Sequence, residues 1–157
     1  VKLLLGELEP TAGTIMRTGF SYLYIDQECS VIDPRLTVFE QTERFNTGNW
    51  AEHELKSILN RYLFPYDTWD KGCACLSGGE KIRLLFCCLM IGNNAPDVFI
   101  LDEPTNNLDI QSVEIITAAI KSYRGTVLLI SHDHYFVKEI KINRSIKLFD
   151  TGSVIKI

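Results

Sequence analysis

Two adjacent acids, Asp102 and Glu103, stand directly after the apolar run Val98–Leu101. A short run of this kind predicts a buried strand, and open α/β sheets bind their ligands where such strands end. Neighbouring residues at a strand end face opposite sides, so the two carboxylates can take different tasks. One could hold magnesium through water, and the other could orient or polarise an attacking water molecule. The plainer alternative is a strand end capped by solvated acids before the turn at Pro104.

A second candidate group, Leu76–Glu80, contains two adjacent glycines at a predicted helix start. Ser77 and Glu80 have the spacing of a capping box, which needs no ligand. Gly78 and Gly79 are not required for capping, and they would leave backbone N–H groups open at the positive end of a helix dipole. Spacing alone therefore leaves phosphate binding and simple capping as equal alternatives, and the downstream carboxylates favour phosphate binding.

Two single residues are predicted at the ends of further strands. The apolar stretch Thr126–Ser131 would deliver His132 to the same sheet edge as Glu103, where an imidazole could donate a hydrogen bond to a terminal phosphate. Gln27 ends the predicted strand Tyr22–Asp26, and its amide could contact both magnesium and the attacking water. A glutamine after a strand is weak evidence when it stands by itself.

The elements that must position these residues form an α/β pattern. Apolar strands that alternate with helices predict a mostly parallel sheet. A helical stretch, residues 37–91, interrupts this pattern and predicts a subdomain inserted into an α/β core of residues 1–36 and 92–157. Two tightly joined strands are predicted within Thr14–Gln27, and a closing hairpin is predicted from Ile146–Phe149 and Ser153–Ile157. The predicted helices are Val1–Gly6, Thr37–Phe45, Trp50–Leu63, Ser77–Ile91 and Ile110–Tyr123.

Composition sets the class of protein. The 157 residues suit one domain, and 46% hydrophobic and 23% charged residues are ordinary for a globular chain. The net charge of −4 does not indicate a nucleic-acid-binding surface. No stretch is long enough to cross a membrane and no signal peptide is visible, so a cytoplasmic protein is expected. The five cysteines lack the spacing of a disulfide framework or a zinc site, and we interpret them as reduced packing residues.

With these residues assembled, the chain resembles an ABC-type ATPase nucleotide-binding domain along nearly its whole length. Leu76–Glu80 resembles the signature motif, although many members have glutamine at the position of Glu80. Val98–Glu103 resembles Walker B, Asn107–Asp109 the D-loop, Ser131–Asp133 the H-loop and Tyr22–Gln27 the Q-loop region. The resemblance implies a P-loop NTPase-like fold with an inserted helical signature subdomain, and the whole of 1–157 would be a single partial ABC ATPase domain.

The resemblance also implies roles for matching positions. Asp102 would hold magnesium, Glu103 would be the general base, and His132 would contact the γ-phosphate. Gln27 would contact the metal and the attacking water. Asp109 would tie two cassettes together as part of the D-loop. The signature residues would bind the γ-phosphate of ATP held by another cassette; they are Leu76, Ser77, Gly78, Gly79 and Glu80, and the D-loop residues are Asn107, Leu108 and Asp109. The implied cofactors are ATP and magnesium, and the implied partner is a second ABC cassette.

Within that family, Asp102–Asp109 and Ser131–Phe136 are most similar to the ABC-F group, twin-cassette proteins of which several act on ribosomes in translation or antibiotic protection. The ribosome is thus an implied partner. The short distance from Gln27 to Leu76 argues against ATPases with long coiled coils, and it favours the second cassette over the first. The alternatives are the ATPase subunit of a membrane transporter and a non-catalytic regulatory cassette.

One expected element is missing from the sequence. No G-x-x-x-x-G-K-S/T pattern occurs, so the phosphate-binding Walker A loop is absent. We therefore expect an N-terminally truncated piece of an active enzyme, because Asp102, Glu103 and His132 are all retained. The piece alone is expected to bind ATP poorly and to hydrolyse none.

Overall fold

Three parallel strands carry the residues predicted to do chemistry. They are β1 (Tyr22–Ile25), β2 (Val98–Asp102) and β3 (Thr126–Ile130), in the spatial order β1-β2-β3. The computed structural model describes residues 1–16, 18–26, 28–92, 95–106, 108–148 and 154–156. Ile25 pairs with Leu101, and Asp102 pairs with Ile130, so all three strands end at one edge of the sheet. The predicted α/β fold with a parallel sheet is confirmed.

The central strand β2 is the most deeply buried. Phe99, Ile100 and Leu101 are consecutive and at most 4% exposed, so both faces of β2 are covered. A strand buried on both faces needs a continuous apolar run rather than an alternating one, which is the pattern that the sequence has there. The residues of β3 are only partly buried or exposed.

Four helices carry most of the buried core. They are α2 (Val38–Arg44), α3 (Glu52–Arg61), α4 (Gly78–Ile91) and α5 (Ile110–Ser122), and each matches a predicted helix to within a few residues. A capping box between Thr37 and Glu40 starts α2. The middle of α4 is buried almost all round, because α2, α3 and α5 all pack against it. Because α4 is held on several sides, the position of its first turn, which begins at Gly78, is also fixed relative to the rest of the fold.

The shorter elements lie at the two ends of the chain. The helix α1 (Lys2–Leu5) ends at Gly6, whose φ of 82° is the left-handed conformation that glycine adopts without strain. The sequence did not predict α6 (His134–Ile140), which packs against α5 through the buried Phe136. The strands β4 (Ile146–Leu148) and β5 (Val154–Lys156) pair antiparallel as the predicted hairpin.

One local prediction was wrong. Thr14–Gln27 was expected to hold two strands, but β1 is the only strand among the described residues of this segment. Most of the described side chains before β1 are exposed, and Met16 is 95% exposed. β-branched and aromatic residues favour a strand only where a partner strand and a buried face receive them, and the described part of the chain provides neither for the stretch before β1.

The interpretation of the cysteines as packing residues holds for four of them. Cys29, Cys73, Cys87 and Cys88 are buried, whereas Cys75 is exposed on a short 3-10 turn, Cys73–Cys75. Burial raises the pKa of Cys29 and of Cys73 to about 11, so both thiols stay protonated and unreactive at neutral pH. Across the described parts of the chain, no helix has the length and apolar character to cross a bilayer.

Candidate functional site

Glu103 and His132 meet where β2 and β3 end. The Glu103 backbone N–H donates to the Ile130 carbonyl over 2.8 Å, which continues the ladder between the two strands. The His132 backbone N–H donates to Glu103 Oε2 over 3.3 Å, and His132 Nε2 lies 3.5 Å from Glu103 Oε1. The two strands therefore bring together an acid and an imidazole that are far apart in sequence.

The backbone of Glu103 is strained. Its φ of 49° is left-handed, a conformation that costs a residue with a side chain about 1–3 kcal/mol and that clusters at functional sites. The hydrogen bond to Ile130 and a second one from the Asn106 N–H to the Glu103 carbonyl hold this conformation. The strain turns the Glu103 side chain out of the strand geometry and towards β3.

The hydrogen-bonding capacity of Glu103 is only half used. Its side chain is 12% exposed, and among the described residues Oε1 has no hydrogen-bond partner, since the contact with His132 Nε2 does not have hydrogen-bond geometry. A buried polar atom left without a partner costs free energy, and such atoms in folded proteins point to an unfilled role. The imidazole of His132 is 98% exposed and can turn towards a ligand.

Asp102 points to the other neighbouring strand. Its Oδ2 accepts a 2.8 Å hydrogen bond from the hydroxyl of Tyr24 on β1. That hydrogen bond, with partial burial and the charge of Asp102, raises the pKa of Tyr24 to about 12. The two adjacent acids thus engage opposite sides of β2. Sequence reasoning missed Tyr24, and only the β1–β2 register, in which Tyr24 pairs with Ile100, could have indicated it.

The signature segment forms the start of α4. Ser77 is its N-cap: its Oγ accepts from the Glu80 N–H over 3.2 Å, while its own N–H donates to Glu80 Oε2 over 2.7 Å. Leu76 is 6% exposed and belongs to the core. The capping box that the sequence predicted is therefore present and pairs the Glu80 N–H. The N–H groups of Gly78 and Gly79 are left as donors that a helix start does not pair within the helix.

The two glycines differ. A Cβ added to Gly78, which is exposed, would meet nothing within 4 Å. A Cβ on the buried Gly79 would lie 3.3 Å from both Leu108 Cδ2 and Ser112 Oγ, tighter than an ordinary contact. The sequence predicted that both glycines leave the helix start unobstructed, but only Gly78 has free space beside it. Gly79 instead lets α4 approach the segment that leads into α5.

A basic residue compensates the charge of Glu80. Lys71 Nζ lies 2.8 Å from Glu80 Oε1, and both side chains are partly buried. Burial by itself would raise the pKa of Glu80, but hydrogen bonds from Lys71 and Ser77 lower it below its ordinary value. Glu80 is therefore ionised, and Lys71 offsets its negative charge beside the helix start.

The D-loop residue Asp109 is the N-cap of α5. Its two carboxylate oxygens accept from Ser112, from the N–H over 2.8 Å and from the hydroxyl over 2.7 Å, which holds the pKa of Asp109 below its usual range. Leu108 is half-buried beside Gly79.

Two predicted site residues, Gln27 and Asn107, lie outside the described residues. Among those described, no hydrogen bond or ion pair joins Ser77–Glu80 to Asp102, Glu103 or His132.

The parallel sheet, the paired acids at its edge and the glycine-containing helix start define the class: an ATP-binding cassette with the P-loop NTPase fold. Residues 1–106, more than half of the chain, match the family model described as ABC transporter. The chain therefore belongs to the ABC transporter family.

The chain is similar to members of the F branch of that family. It is 39% identical over 153 residues to ABC transporter F family member 5 of Arabidopsis thaliana, and the alignment covers 96% of this chain and 22% of the relative. The chain thus spans less than a quarter of that relative's length.

Solved structures share the fold. One is an archaeal ribosome recycling factor in complex with an archaeal ribosomal stalk protein, with a TM-score of 0.69, 25% identity and coverage of 92% of this chain and 28% of that chain. Another is a dimeric ATP-binding cassette in a post-hydrolysis state bound to ADP and Pi. It has a TM-score of 0.57, 20% identity and coverage of 76% of this chain and 55% of that one.

Proposed function

We propose that the full-length protein containing this chain hydrolyses ATP, and that the chain supplies the general base of one nucleotide site. The observation that carries the proposal is the Glu103 carboxylate. It is held by a strained backbone, it is largely buried, and one of its oxygens lacks a partner among the described residues. A carboxylate in this state can accept a proton from a water molecule that attacks the terminal phosphate.

Magnesium would be held by Asp102. The hard oxygen donors of a carboxylate suit this ion, which usually takes one or two carboxylates and completes its shell with water and phosphate oxygens. Among the described residues no group of three potential ligands could enclose a metal, so the ion would depend on Asp102 together with water and phosphate oxygens. Bound magnesium would neutralise charge on the phosphates, and His132 and Glu103 would orient the terminal phosphate and the water. Gln27 is proposed as a further contact to metal and water.

A second cassette would complete the site. Among the described residues, no hydrogen bond or ion pair links the signature residues of this chain to its own carboxylates, and α4 presents its open start at Ser77 and Gly78 to the exterior. We infer that this start binds the γ-phosphate of ATP on the partner cassette, with the D-loop residues Asn107, Leu108 and Asp109 at the contact between cassettes. The dimeric neighbour bound to ADP and Pi supports an arrangement of two cassettes.

The ribosome is the proposed target. The similarity to F family members and to a ribosome recycling factor supports it, and so does the role implied for the F group in translation or antibiotic protection. The second candidate is the ATPase subunit of a membrane transporter, which the description of the matching family favours. The two candidate functions differ in the partner that the ATP-bound protein binds, which is the ribosome in the first and a membrane protein in the second.

The test uses Glu103→Gln in the full-length protein. Phosphate release should fall by roughly two orders of magnitude or more, because the proton acceptor is removed while the shape is kept. Glu114→Gln is the matched control, since Glu114 is exposed on α5 and should leave turnover unchanged. Unchanged turnover in Glu103→Gln would remove Glu103 from its role.

The same variant separates the two targets. Trapped in the ATP-bound state, it should sediment with purified ribosomes in ATP and not in ADP. If the variant loses turnover as expected but does not sediment with ribosomes, the proposal of ATP hydrolysis stands and the proposal of a ribosomal target is contradicted.

A further inference from the structure

Tyr24 provides a hydrogen bond to the carboxylate of Asp102, which we assign to magnesium. It is the one side-chain hydrogen bond to Asp102 among the described residues, and it joins Tyr24 Oη to Asp102 Oδ2 over 2.8 Å. Tyr24 lies within the segment that resembles the Q-loop region, but no role was predicted for this tyrosine from the sequence. Its position on β1, the strand on the far side of β2 from His132, makes it a separate support for the acid pair.

The parallel register explains why a tyrosine reaches Asp102. Tyr24 pairs with Ile100, and Asp102 lies two residues further along β2 on the same face. A diagonal neighbour of this kind is within reach of an aromatic or other long side chain and out of reach of a short one. Serine or threonine at this position would not make the contact.

The hydrogen bond from Tyr24 restricts the orientation of the Asp102 carboxylate. A carboxylate has two oxygens, and a fixed donor on Oδ2 holds the group in one orientation, with Oδ1 left to serve a metal or its water. Hydrogen-bonded outer partners of this kind orient metal-binding carboxylates, and their loss typically weakens metal affinity by about 10–100-fold.

We propose that Tyr24 is a positioning residue that acts through Asp102 to set the affinity of the site for its divalent cation. The inference rests on the proposed function, because it assumes that Asp102 holds magnesium. The opposing interpretation is that the bond only fastens β1 to β2, in which case its loss would change stability and leave metal binding unaltered.

The test is Tyr24→Phe in the full-length protein, which removes the hydroxyl and keeps the ring. Binding of Mn²⁺ in the presence of ATP, followed by the electron paramagnetic resonance signal of the free ion, should weaken by about 10–100-fold. The Mg²⁺ concentration for half-maximal hydrolysis should rise by the same factor, while turnover at saturating Mg²⁺ changes little.

Tyr22→Phe is the matched control. It removes the same hydroxyl from the same strand, where the ring of Tyr22 packs against Phe20 rather than contacting Asp102. Its metal dependence should equal that of the parent protein. In the background of Asp102→Ala, adding Tyr24→Phe should weaken Mn²⁺ binding no further, because the carboxylate through which Tyr24 acts is already absent.

Two failures are distinguishable. Unchanged Mn²⁺ binding in Tyr24→Phe, with or without a lower melting temperature, would overturn the positioning role while the parent protein still hydrolyses ATP. A parent protein that neither binds Mn²⁺ with ATP nor hydrolyses ATP would overturn the proposed function itself.

Discussion

The edge of the sheet and the start of α4 are both proposed to handle phosphate, but they are built differently. At the sheet edge, Glu103 is strained, one of its oxygens lacks a described partner, and His132 is almost fully exposed. At the start of α4, Ser77 and Glu80 cap each other and Lys71 neutralises the acid. The first region keeps unused hydrogen-bonding capacity, whereas the second is stable without a ligand.

The difference follows from what each region is proposed to do. A group that must accept a proton needs an oxygen that the fold has not already satisfied, and the fold tolerates the cost because two strands fix the backbone around it. A helix start that only receives a phosphate needs a rigid, open set of N–H groups, and local capping provides it. ATP turnover should therefore be sensitive to the loss of a proton-accepting or metal-binding group at the sheet edge. At the helix start it should be sensitive to added bulk or altered charge.

The largest expected effect at the helix start comes from bulk. Ser77→Arg in the full-length protein should reduce ATP turnover by about a hundredfold, the scale of loss from misplacing a reacting group by ~1 Å. Ser77→Ala is the control, because it removes the same capping hydroxyl without adding bulk. Steady-state phosphate release measures both. If the two variants lose equal activity, the cap rather than the open surface is what matters, and binding of the partner's phosphate here would be contradicted.

A smaller effect should separate the two glycines. Gly79→Val should lower the free energy of unfolding by about 1–3 kcal/mol more than Gly78→Val, because only Gly79 packs against Leu108 and Ser112. Both changes carry the same helix propensity cost, so the difference isolates packing. Chemical denaturation of the full-length protein gives the two values, and equal losses would mean that α4 does not need this close approach.

The smallest effect concerns charge. Lys71→Met should raise the ATP concentration for half-maximal turnover by about two- to fivefold, since the unpaired charge of Glu80 would repel a phosphate by ~0.3–1 kcal/mol, the scale of charge–charge interactions near a protein surface. Glu80→Gln added to Lys71→Met should restore the parent value by removing the unpaired charge. A Lys71→Met variant with an unchanged ATP requirement, or a double variant that is not restored, would show that Lys71 does not act through Glu80.

Much of the fold could be predicted because its signals are local. The apolar runs of β2 and β3 and the capping residues Thr37 and Ser77 each fix an element without help from distant residues. The segment before β1 and the helix α6 were predicted incorrectly or not at all, since their conformation depends on which surfaces pack against them.

The sequence by itself determined which residues could do chemistry and the order in which the chain presents them. Asp102, Glu103 and His132 follow apolar strands, and that pattern alone indicated one sheet edge. Only the tertiary structure decided that Tyr24 donates to Asp102, that Glu103 turns towards His132, and that Gly78 and Gly79 have separate roles. The reason is physical: each of these depends on strand register or on the distance between two helices, and neither quantity is encoded in any short segment.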